Sequence, residues 1–168
     1  MDANDLPFRP CAGIMVLDRK GRVWMGHRPA KPRDELPQGT DKRWQMPQGG
    51  IDEGEDPLSA ARRELWEETG MQTVVFVDQT EDWLVYDLPP ELIGKALKGR
   101  FRGQKQKWFV FRFEGEETEI DIENPPDGSH AEFDAWEWVD IETIPERIVE
   151  FKRPIYEELV RRFAHHTR

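Results

Sequence analysis

Three glutamates crowd into one short stretch of the chain, RRELWEETG. Glu64, Glu67 and Glu68 would share one sector of a helix, where like charges three and four residues apart repel each other. Unpaired, the three carboxylates would also raise one another's pKa. A divalent cation removes this repulsion, because hard cations prefer oxygen ligands such as carboxylates. The stretch therefore predicts either a metal site or an exposed acidic face neutralised by Arg62 and Arg63.

A helix has to position these glutamates, and the flanking sequence predicts where it begins and ends. Asp56-Pro57 is typical of a helix start, since Asp caps free N–H groups and Pro fits the first helical position. Leu58, Ala61 and Leu65 recur at helical spacing and predict an apolar stripe that faces a core. Gly70 is typical of a left-handed C-cap.

The rest of the chain predicts a sheet on which helices pack. Residues Pro29–Arg43 and Trp44–Glu55 are rich in Pro and Gly and predict irregular loops. From Pro145 onward, apolar residues recur at helical spacing and predict a C-terminal helix that is broken near Pro154. A β-hairpin and further strands are predicted by apolar and β-branched runs. These strands are Gly13–Leu17, Val23–Met25, Thr73–Val77, Asp82–Leu88, Trp108–Phe113 and Phe133–Val139.

Length and composition fit one globular domain. The chain has 168 residues, of which 37% are hydrophobic and 35% charged, and it holds no apolar run long enough for a bilayer-spanning helix. The N-terminal MDANDLPFRP lacks the basic and apolar regions of a signal peptide, so a cytoplasmic location is expected. The single cysteine, Cys11, excludes an intrachain disulfide and any zinc site built from cysteines.

Charge is distributed unevenly along the sequence. The net charge of −10 argues against binding to duplex DNA, which needs a basic surface. Between Leu92 and Phe113, however, there is no Asp or Glu, and several basic residues form a local strip. This basic strip comprises Lys95, Lys98, Arg100, Arg102, Lys105, Lys107 and Arg112.

The wider spacing around the glutamates resembles a known family. Its fixed positions are Gly49, Glu55, Arg63-Glu64, Glu67-Glu68 and Gly70. Together these positions match the box of the Nudix hydrolases, and a match of this length is far more specific than a lone glycine motif. Further similarity to the bacterial RNA pyrophosphohydrolase group, also described as (di)nucleoside polyphosphate hydrolases, lies in WQ, PQGGI, GQKQKWF, EFD and FKR. The resemblance implies an α-β-α sandwich of the α+β class, with helices on both faces of a mixed sheet. It further implies one domain over 1–168, with a core at 8–165 and a surface-loop insertion at 29–43.

The resemblance also implies a metal site and catalytic groups. Glu64, Glu67 and Glu68 are the implied metal ligands, joined by the Gly49 carbonyl and by Glu132 from outside the box. The expected ion is Mg²⁺, with Mn²⁺ or another divalent cation as a substitute. Arg63 can hold a carboxylate in place by ion pairing. Glu67, Glu68 and Glu132 are all candidates for the base that takes the proton of the attacking water.

Substrate contacts are implied in the same way. The implied residues are Arg9, Arg28, Gln48, Tyr86, Gln104, Lys105, Lys107, Val149 and Lys152. Strand alternation in GQKQKWF predicts that both lysines point to one face and that Gln104, Gln106 and Trp108 point to the other. Gln104 and Lys107 are the favoured polyphosphate contacts. Phe151 fits core packing better than contact with a base, and His27 stands where the resemblance would place a residue such as Arg.

Two enzymatic functions compete. The leading hypothesis is an RNA 5′-pyrophosphohydrolase that converts triphosphate or diphosphate ends of single-stranded RNA to monophosphate and so promotes RNA decay. The alternative is a hydrolase of diadenosine and other dinucleoside polyphosphates, which would use the same metal ligands. A non-catalytic binding module is disfavoured because no glutamate of the box is missing. No motif in the sequence identifies an activating protein partner or a membrane anchor.

Overall fold

The structure is a computed structural model that describes residues 5–29 and 41–168. Most of the predicted surface loop at 29–43 therefore lies outside the described residues. Two α-helices are described, α1 (Pro57–Thr69) and α2 (Arg153–Phe163). The described strands are β1 (Phe8–Leu17), β2 (Val23–His27), β3 (Trp44–Gln45), β4 (Gln48–Gly50), β5 (Val74–Gln79), β6 (Leu84–Asp87), β7 (Gly103–Phe113) and β8 (Ala135–Val139). Short 3₁₀ turns lie at Pro90–Leu92, Leu97–Gly99, Glu117–Glu119, Ile141–Glu146, Glu150–Lys152 and Ala164–Thr167.

The described strands form one mixed sheet whose centre is the pair β1 and β7. These two strands run parallel, in a register that extends from Phe8 opposite Gly103 to Leu17 opposite Arg112. The sheet order is β3-β2-β1-β7-β5, while β4 pairs with β1, β6 with β7 and β8 with β2. All these other pairings are antiparallel.

Both faces of β1 are buried, because a helix covers each one. Ile14 and Val16 point to the face covered by α1, whereas Met15 and Leu17 point to the face covered by α2. The helices contribute Ala60, Ala61 and Leu65 on the α1 side, and Ile155, Leu159 and Phe163 on the α2 side. The predicted fold class, a mixed sheet between helices, is thereby confirmed.

The predicted limits of α1 are also confirmed. Asp56 is the N-cap and accepts a hydrogen bond from the Ser59 N–H, Pro57 opens the helix, and Gly70 closes it at a φ of 78°. The predicted hairpin is present as β1 and β2. Among the described helices, neither has the length and apolar character needed to cross a bilayer.

The prediction of an irregular loop over Trp44–Glu55 is wrong for the first half of this segment. This segment contains β3 and β4, and β4 pairs antiparallel with Cys11–Gly13 of β1. The Ile14 N–H donates to the Pro47 carbonyl and the Ile51 N–H donates to the Pro10 carbonyl. The local Pro and Gly signals gave no sign of this, because the strand is stabilised by a partner distant in sequence.

Two further boundaries differ from prediction. The strand predicted at Trp108–Phe113 begins at Gly103, because β1 and β6 supply hydrogen-bonding partners for its first half. Pro154, the predicted break in the C-terminal helix, lies instead in the first turn of α2. A missing N–H and a fixed φ suit that position, and the preceding Glu150–Lys152 forms a separate 3₁₀ turn.

Replacing Gly70 with Ala should destabilise the fold more than the same change at Gly54. Both glycines have a left-handed φ, 78° and 79°. A Cβ at Gly70 would lie 2.9 Å from the Glu119 carbonyl oxygen, whereas nothing lies within 4 Å of one at Gly54. We expect a loss of unfolding free energy of roughly 1–2 kcal/mol for Gly54→Ala and about 1 kcal/mol more for Gly70→Ala, measured by urea denaturation. Equal losses would show that the Glu119 contact is unimportant.

Candidate metal-binding active site

One guanidinium organises the acidic helix. Arg63 donates two hydrogen bonds to Glu55, from Nε to Oε2 at 2.8 Å and from Nη2 to Oε1 at 2.9 Å. Its Nη1 donates to Glu64 Oε1 at 2.9 Å and to Glu67 Oε2 at 3.1 Å, and its Nη2 also donates to the Gly50 carbonyl at 2.9 Å. The guanidinium holds the pKa of Glu55 down at about 2. Arg63 thus joins α1 to the end of β4 and fixes two of the predicted metal ligands.

The two glycines of β4 allow the acidic helix to approach the backbone closely. A Cβ at Gly49 would lie 2.1 Å from the carboxylate carbon of Glu64, so no larger residue fits without moving that side chain. A Cβ at Gly50 would lie 2.5 Å from Nη2 of Arg9. The Gln48 N–H donates to Glu68 Oε2 at 3.3 Å. This strand therefore lies between the glutamates on one face and the guanidinium of Arg9 on the other.

The carboxylates lie close enough to perturb one another. Burial, reinforced by the charges of Glu132 and Glu64, raises the pKa of Glu68 well above its usual value. Burial also raises the pKa of Glu64, against the opposing charge of Arg63. Glu132 is exposed on the segment before β8, and its charge contributes to the raised pKa of Glu68. The site carries more negative charge than its one organising guanidinium neutralises.

The donor set fits a hard divalent cation. The predicted ligands, all within the described residues, offer oxygen alone: the carboxylates of Glu64, Glu67, Glu68 and Glu132 and the backbone of Gly49. The side-chain oxygen of Gln48 is buried and accepts no hydrogen bond from the described residues. Such an oxygen-only set suits Mg²⁺ or Mn²⁺ better than a metal that prefers nitrogen or sulfur ligands.

A second group of predicted residues gathers on the α2 side of the sheet. Arg9 lies opposite Gln104 in the β1–β7 pairing, and Tyr86 lies opposite Gln104 in the β6–β7 pairing. The ring of Phe151 lies 5.5 Å from that of Tyr86, and the ammonium of Lys152 lies 5.8 Å from the Tyr86 ring. These aromatic rings and basic groups, with Tyr86 buried among them, form one cluster, which we call the aromatic-basic platform.

The charge of Arg9 links the platform to the glutamates of α1. The positive charge of Arg9 acts on Glu64, and the Arg9 guanidinium lies against Gly50. Arg28 lies near the buried Tyr156, whose hydroxyl accepts a hydrogen bond from the Met46 N–H. Val149 is partly buried and packs against the α2-side core, as does Phe151. Core packing of Phe151 is thus confirmed.

The predicted alternation in β7 is also confirmed. Lys105 and Lys107 both lie over the ring of Trp83, at 4.7 and 4.9 Å. On the opposite face, Trp108 Nε1–H donates to the Gln106 side-chain oxygen at 2.9 Å, and the Gln106 amide donates to the Gln104 oxygen at 2.8 Å. The structure therefore places Gln104 with the platform and both lysines on the other side of the strand.

Sequence reasoning missed the role of His27. Its Nδ1 lies 2.6 Å from Asp134 Oδ1, and its Nε2 lies 2.7 Å from Asp41 Oδ2. Because a carboxylate only accepts hydrogen bonds, both ring nitrogens donate when the imidazole is protonated. Burial lowers the pKa of His27, but the hydrogen bonds to Asp134 and Asp41 outweigh this, and the pKa lies above its ordinary value of 6.5. His27 thereby links β2 to the segment that carries Glu132.

The chain also matches known proteins. A family model described as the NUDIX domain matches residues 7–159. The chain belongs to the NUDIX family. It is 59% identical to an RNA pyrophosphohydrolase of Agrobacterium fabrum over 97% of this chain and 95% of the relative. It is 57% identical to an RNA pyrophosphohydrolase of Rhizobium meliloti over the full length of both. The dihydroneopterin triphosphate pyrophosphohydrolase of E. coli shares the fold, with a TM-score of 0.63 at 20% identity over 90% of this chain and 96% of that one.

Replacing Gly49 of this NUDIX protein with Ala should weaken divalent-cation binding. The new methyl group must displace the Glu64 carboxylate, whose nearest atom lies 2.1 Å from the Cβ position. We expect the dissociation constant for Mn²⁺, measured by electron paramagnetic resonance, to rise at least about tenfold. Gly54→Ala, with open space around its Cβ, is the matched control and should leave the affinity unchanged. Equal affinities for the wild type and Gly49→Ala would exclude Glu64 from the metal site.

The bridge made by His27 should give the NUDIX protein a pH-dependent stability. The raised pKa means that the folded state binds the proton more tightly than the unfolded state. The contribution of His27 to the unfolding free energy is therefore complete below pH 6.5 and is lost as pH rises through the raised pKa. We expect the unfolding free energies of wild type and His27→Asn to differ at pH 5.5 and to converge under alkaline conditions. His130→Asn, at an exposed position, should show no such trend. A difference that stays constant across pH would contradict protonation of His27.

Proposed function

We propose that this NUDIX protein is an RNA 5′-pyrophosphohydrolase, which converts 5′-triphosphate or 5′-diphosphate ends of single-stranded RNA to 5′-monophosphate ends and so promotes RNA decay. The observation that carries the proposal is the union of a complete glutamate site, organised by Arg63, with an aromatic-basic platform beside it. The names of the relatives at 59% and 57% identity support the same substrate. The proposed setting is the cytoplasm, where such RNA ends occur.

Mg²⁺ is the proposed cofactor, and Mn²⁺ or another divalent cation could replace it. Its proposed ligands are the carboxylates of Glu64, Glu67, Glu68 and Glu132 and the Gly49 carbonyl. Bound there, the cation would neutralise charge on the phosphate oxygens and so favour attack by water. The chain's own contribution is to hold the ligands still. Arg63 does so for Glu64 and Glu67, and the Gln48 N–H does so for Glu68.

A base must take the proton of the attacking water. Glu67, Glu68 and Glu132 remain the proposed candidates. Glu67 is held by Arg63, which favours a fixed ligand over a mobile base. Glu132 is exposed, and it lies on a segment that His27 ties to β2 through Asp134. Comparing the pH dependence of turnover in the three Glu→Gln variants would distinguish these candidates.

The platform offers a surface for the first nucleotide of the RNA. Bases of single strands stack on aromatic rings and on arginine or lysine side chains. Phe151 and Lys152 are partly exposed beside the buried Tyr86 ring, and the charge of Arg9 acts on Glu64. We propose that Arg9, Arg28, Val149 and Lys152 hold the base and sugar while Gln48 faces the phosphates.

The remaining polyphosphate contacts come from the beginning of β7. Gln104 shares the platform face, and we propose it as the principal contact of this strand. Lys105 and Lys107 are held over Trp83 on the other face. Lys107 lies opposite Ala12 of β1, so this other face is the one that α1 covers, and the contact with Trp83 limits how far the two lysines extend toward the phosphates. We therefore propose a lesser role for these two lysines than the sequence alone indicated.

Hydrolysis of dinucleoside polyphosphates is the second candidate function, because it would use the same glutamates and the same platform. The two substrates differ in what the first nucleotide is joined to: a further RNA chain, or a second nucleoside across the phosphates. Offering triphosphorylated RNA and diadenosine tetraphosphate in competition, with Mg²⁺, compares their specificity constants directly. We expect RNA to be preferred. A higher specificity constant for the dinucleotide would reverse the assignment.

Loss of one glutamate carboxylate from α1 should nearly abolish turnover without unfolding the protein. We expect Glu67→Gln and Glu68→Gln to lower kcat on triphosphorylated RNA at least about 100-fold, because each change removes a charge that positions the cation. Glu157→Gln, which removes an exposed carboxylate from α2, is the matched control and should keep normal turnover. Circular dichroism would verify folding. Near-normal rates in Glu67→Gln or Glu68→Gln would exclude that glutamate from the metal site.

A further inference from the structure

A second group of metal-type side chains lies far from the glutamate helix. Asp78 of β5 faces His165 and His166 of the C-terminal 3₁₀ turn. One donor atom from each of the three residues lies within 4.8 Å of the other two, and within 5–29 and 41–168 this is the one trio of His, Cys, Asp or Glu that meets this distance. In the sheet, β7 and β1 separate β5 from β4, which carries the glycines of the active site. The group is therefore independent of that site.

The three side chains are directed toward one another. His166 Nε2 lies 2.8 Å from Asp78 Oδ2, and the rings of His165 and His166 have centroids 3.9 Å apart. The register of β5 shifts between Phe76 and Asp78, and a bulge of this kind re-aims the side chain that comes after it. The other oxygen, Asp78 Oδ1, accepts the Gln79 N–H at 2.8 Å. Oδ2 is thereby left on the side of the imidazoles.

The surrounding contacts hold the C-terminal turn against the sheet. Arg162, in the last turn of α2, makes two hydrogen bonds to Asp82 at 2.6 and 3.0 Å, just beyond β5. The Thr167 carbonyl packs against the β1–β2 turn so closely that a Cβ at Gly21 would lie 2.3 Å from it. The Thr167 hydroxyl donates to the Ala164 carbonyl at 2.6 Å and closes the turn. The histidines are thus carried by a segment fixed on two sides.

We propose that Asp78, His165 and His166 bind one Zn²⁺ ion, with water completing its coordination. Two imidazoles and one carboxylate are typical zinc donors. Bonds of about 2.0 Å in a tetrahedral site put donors roughly 3.3 Å apart. The Asp78–His166 pair is only slightly closer than this. His165 is exposed, so its ring can turn inward without disturbing the core.

The two sites differ in chemistry. The glutamate site offers oxygen donors alone, which suit Mg²⁺, whereas the C-terminal group offers two nitrogens, which Mg²⁺ binds poorly. A zinc ion there would join the end of α2 to an edge strand of the sheet and stabilise the folded state by mass action. This role is structural and does not depend on the proposed RNA substrate.

The test uses the full chain in a Glu68→Gln background, with excess Mg²⁺ to occupy the remaining oxygen ligands. The chain holds four histidines, so selective ¹⁵N labelling of imidazoles gives a simple spectrum. On addition of one equivalent of Zn²⁺, we expect the signals of His165 and His166 to shift and those of His27 and His130 to stay. Calorimetry should show one zinc ion bound, and the thermal midpoint should rise.

Asp78→Asn and His166→Ala should each raise the dissociation constant for Zn²⁺ at least about tenfold. His130→Ala, which removes an exposed imidazole elsewhere, should leave the constant unchanged. Asp78→Asn preserves the size of the side chain, and its melting curve without zinc would show that it folds. Zinc that leaves the His165 and His166 signals in place, or binds equally well to Asp78→Asn, would overturn the proposal.

Discussion

The candidate site depends on one guanidinium, which contacts more carboxylates than its single charge can neutralise. Arg63 donates to Glu55, Glu64, Glu67 and the Gly50 carbonyl at once, and only a guanidinium has enough donors in a rigid plane to do this. These contacts fix α1 relative to β4 and the segment that follows it. One positive charge cannot neutralise the three carboxylates that Arg63 contacts, and the charge of Glu132 also acts on nearby Glu68. The remaining charge would favour a divalent cation, and the same ion pairs would hold the proposed ligands in place for it.

The direction in which the glutamates point is set by the core and not by the glutamates themselves. Ala60, Ala61 and Leu65 are buried against the face of the sheet formed by Ile14 and Val16 of β1. That packing fixes the rotation of α1 about its axis, and the Asp56 and Gly70 caps fix its ends. Since β1 also pairs with β4 and β7, one strand sets the positions of α1, of the two glycines in β4 and of the basic residues of the platform. A core substitution that rotated α1 would therefore displace the site without touching any of its charged groups.

The parts of this arrangement that could be predicted from sequence are local ones. The cap at Asp56, the stripe through Leu65, the left-handed Gly70 and the alternation around Lys105 and Lys107 each depend on neighbouring residues, and the spacing of the glutamates depends on the helix. The features that escaped prediction require partners distant in sequence. The β4 strand looked like a loop because its Pro and Gly content masked a pairing with Cys11–Gly13. The bridge at His27 joins residues 14 and 107 positions away, and no periodicity links them.

The opposite faces of β7 show how one strand can serve two purposes. Toward the platform, the chain of hydrogen bonds from Trp108 through Gln106 to Gln104 fixes the orientation of each amide, because the buried indole N–H can only donate. Gln104 therefore presents its side chain to the platform in one defined orientation. Toward the other face, Lys105 and Lys107 share the ring of Trp83, which holds two like charges side by side and leaves them partly exposed. Under the proposed function, precise recognition would fall to the platform face and general attraction of anions to the face of the lysines. Selectivity among phosphate-containing substrates should accordingly depend on the residues that orient Gln104 more than on the number of lysines in the strip.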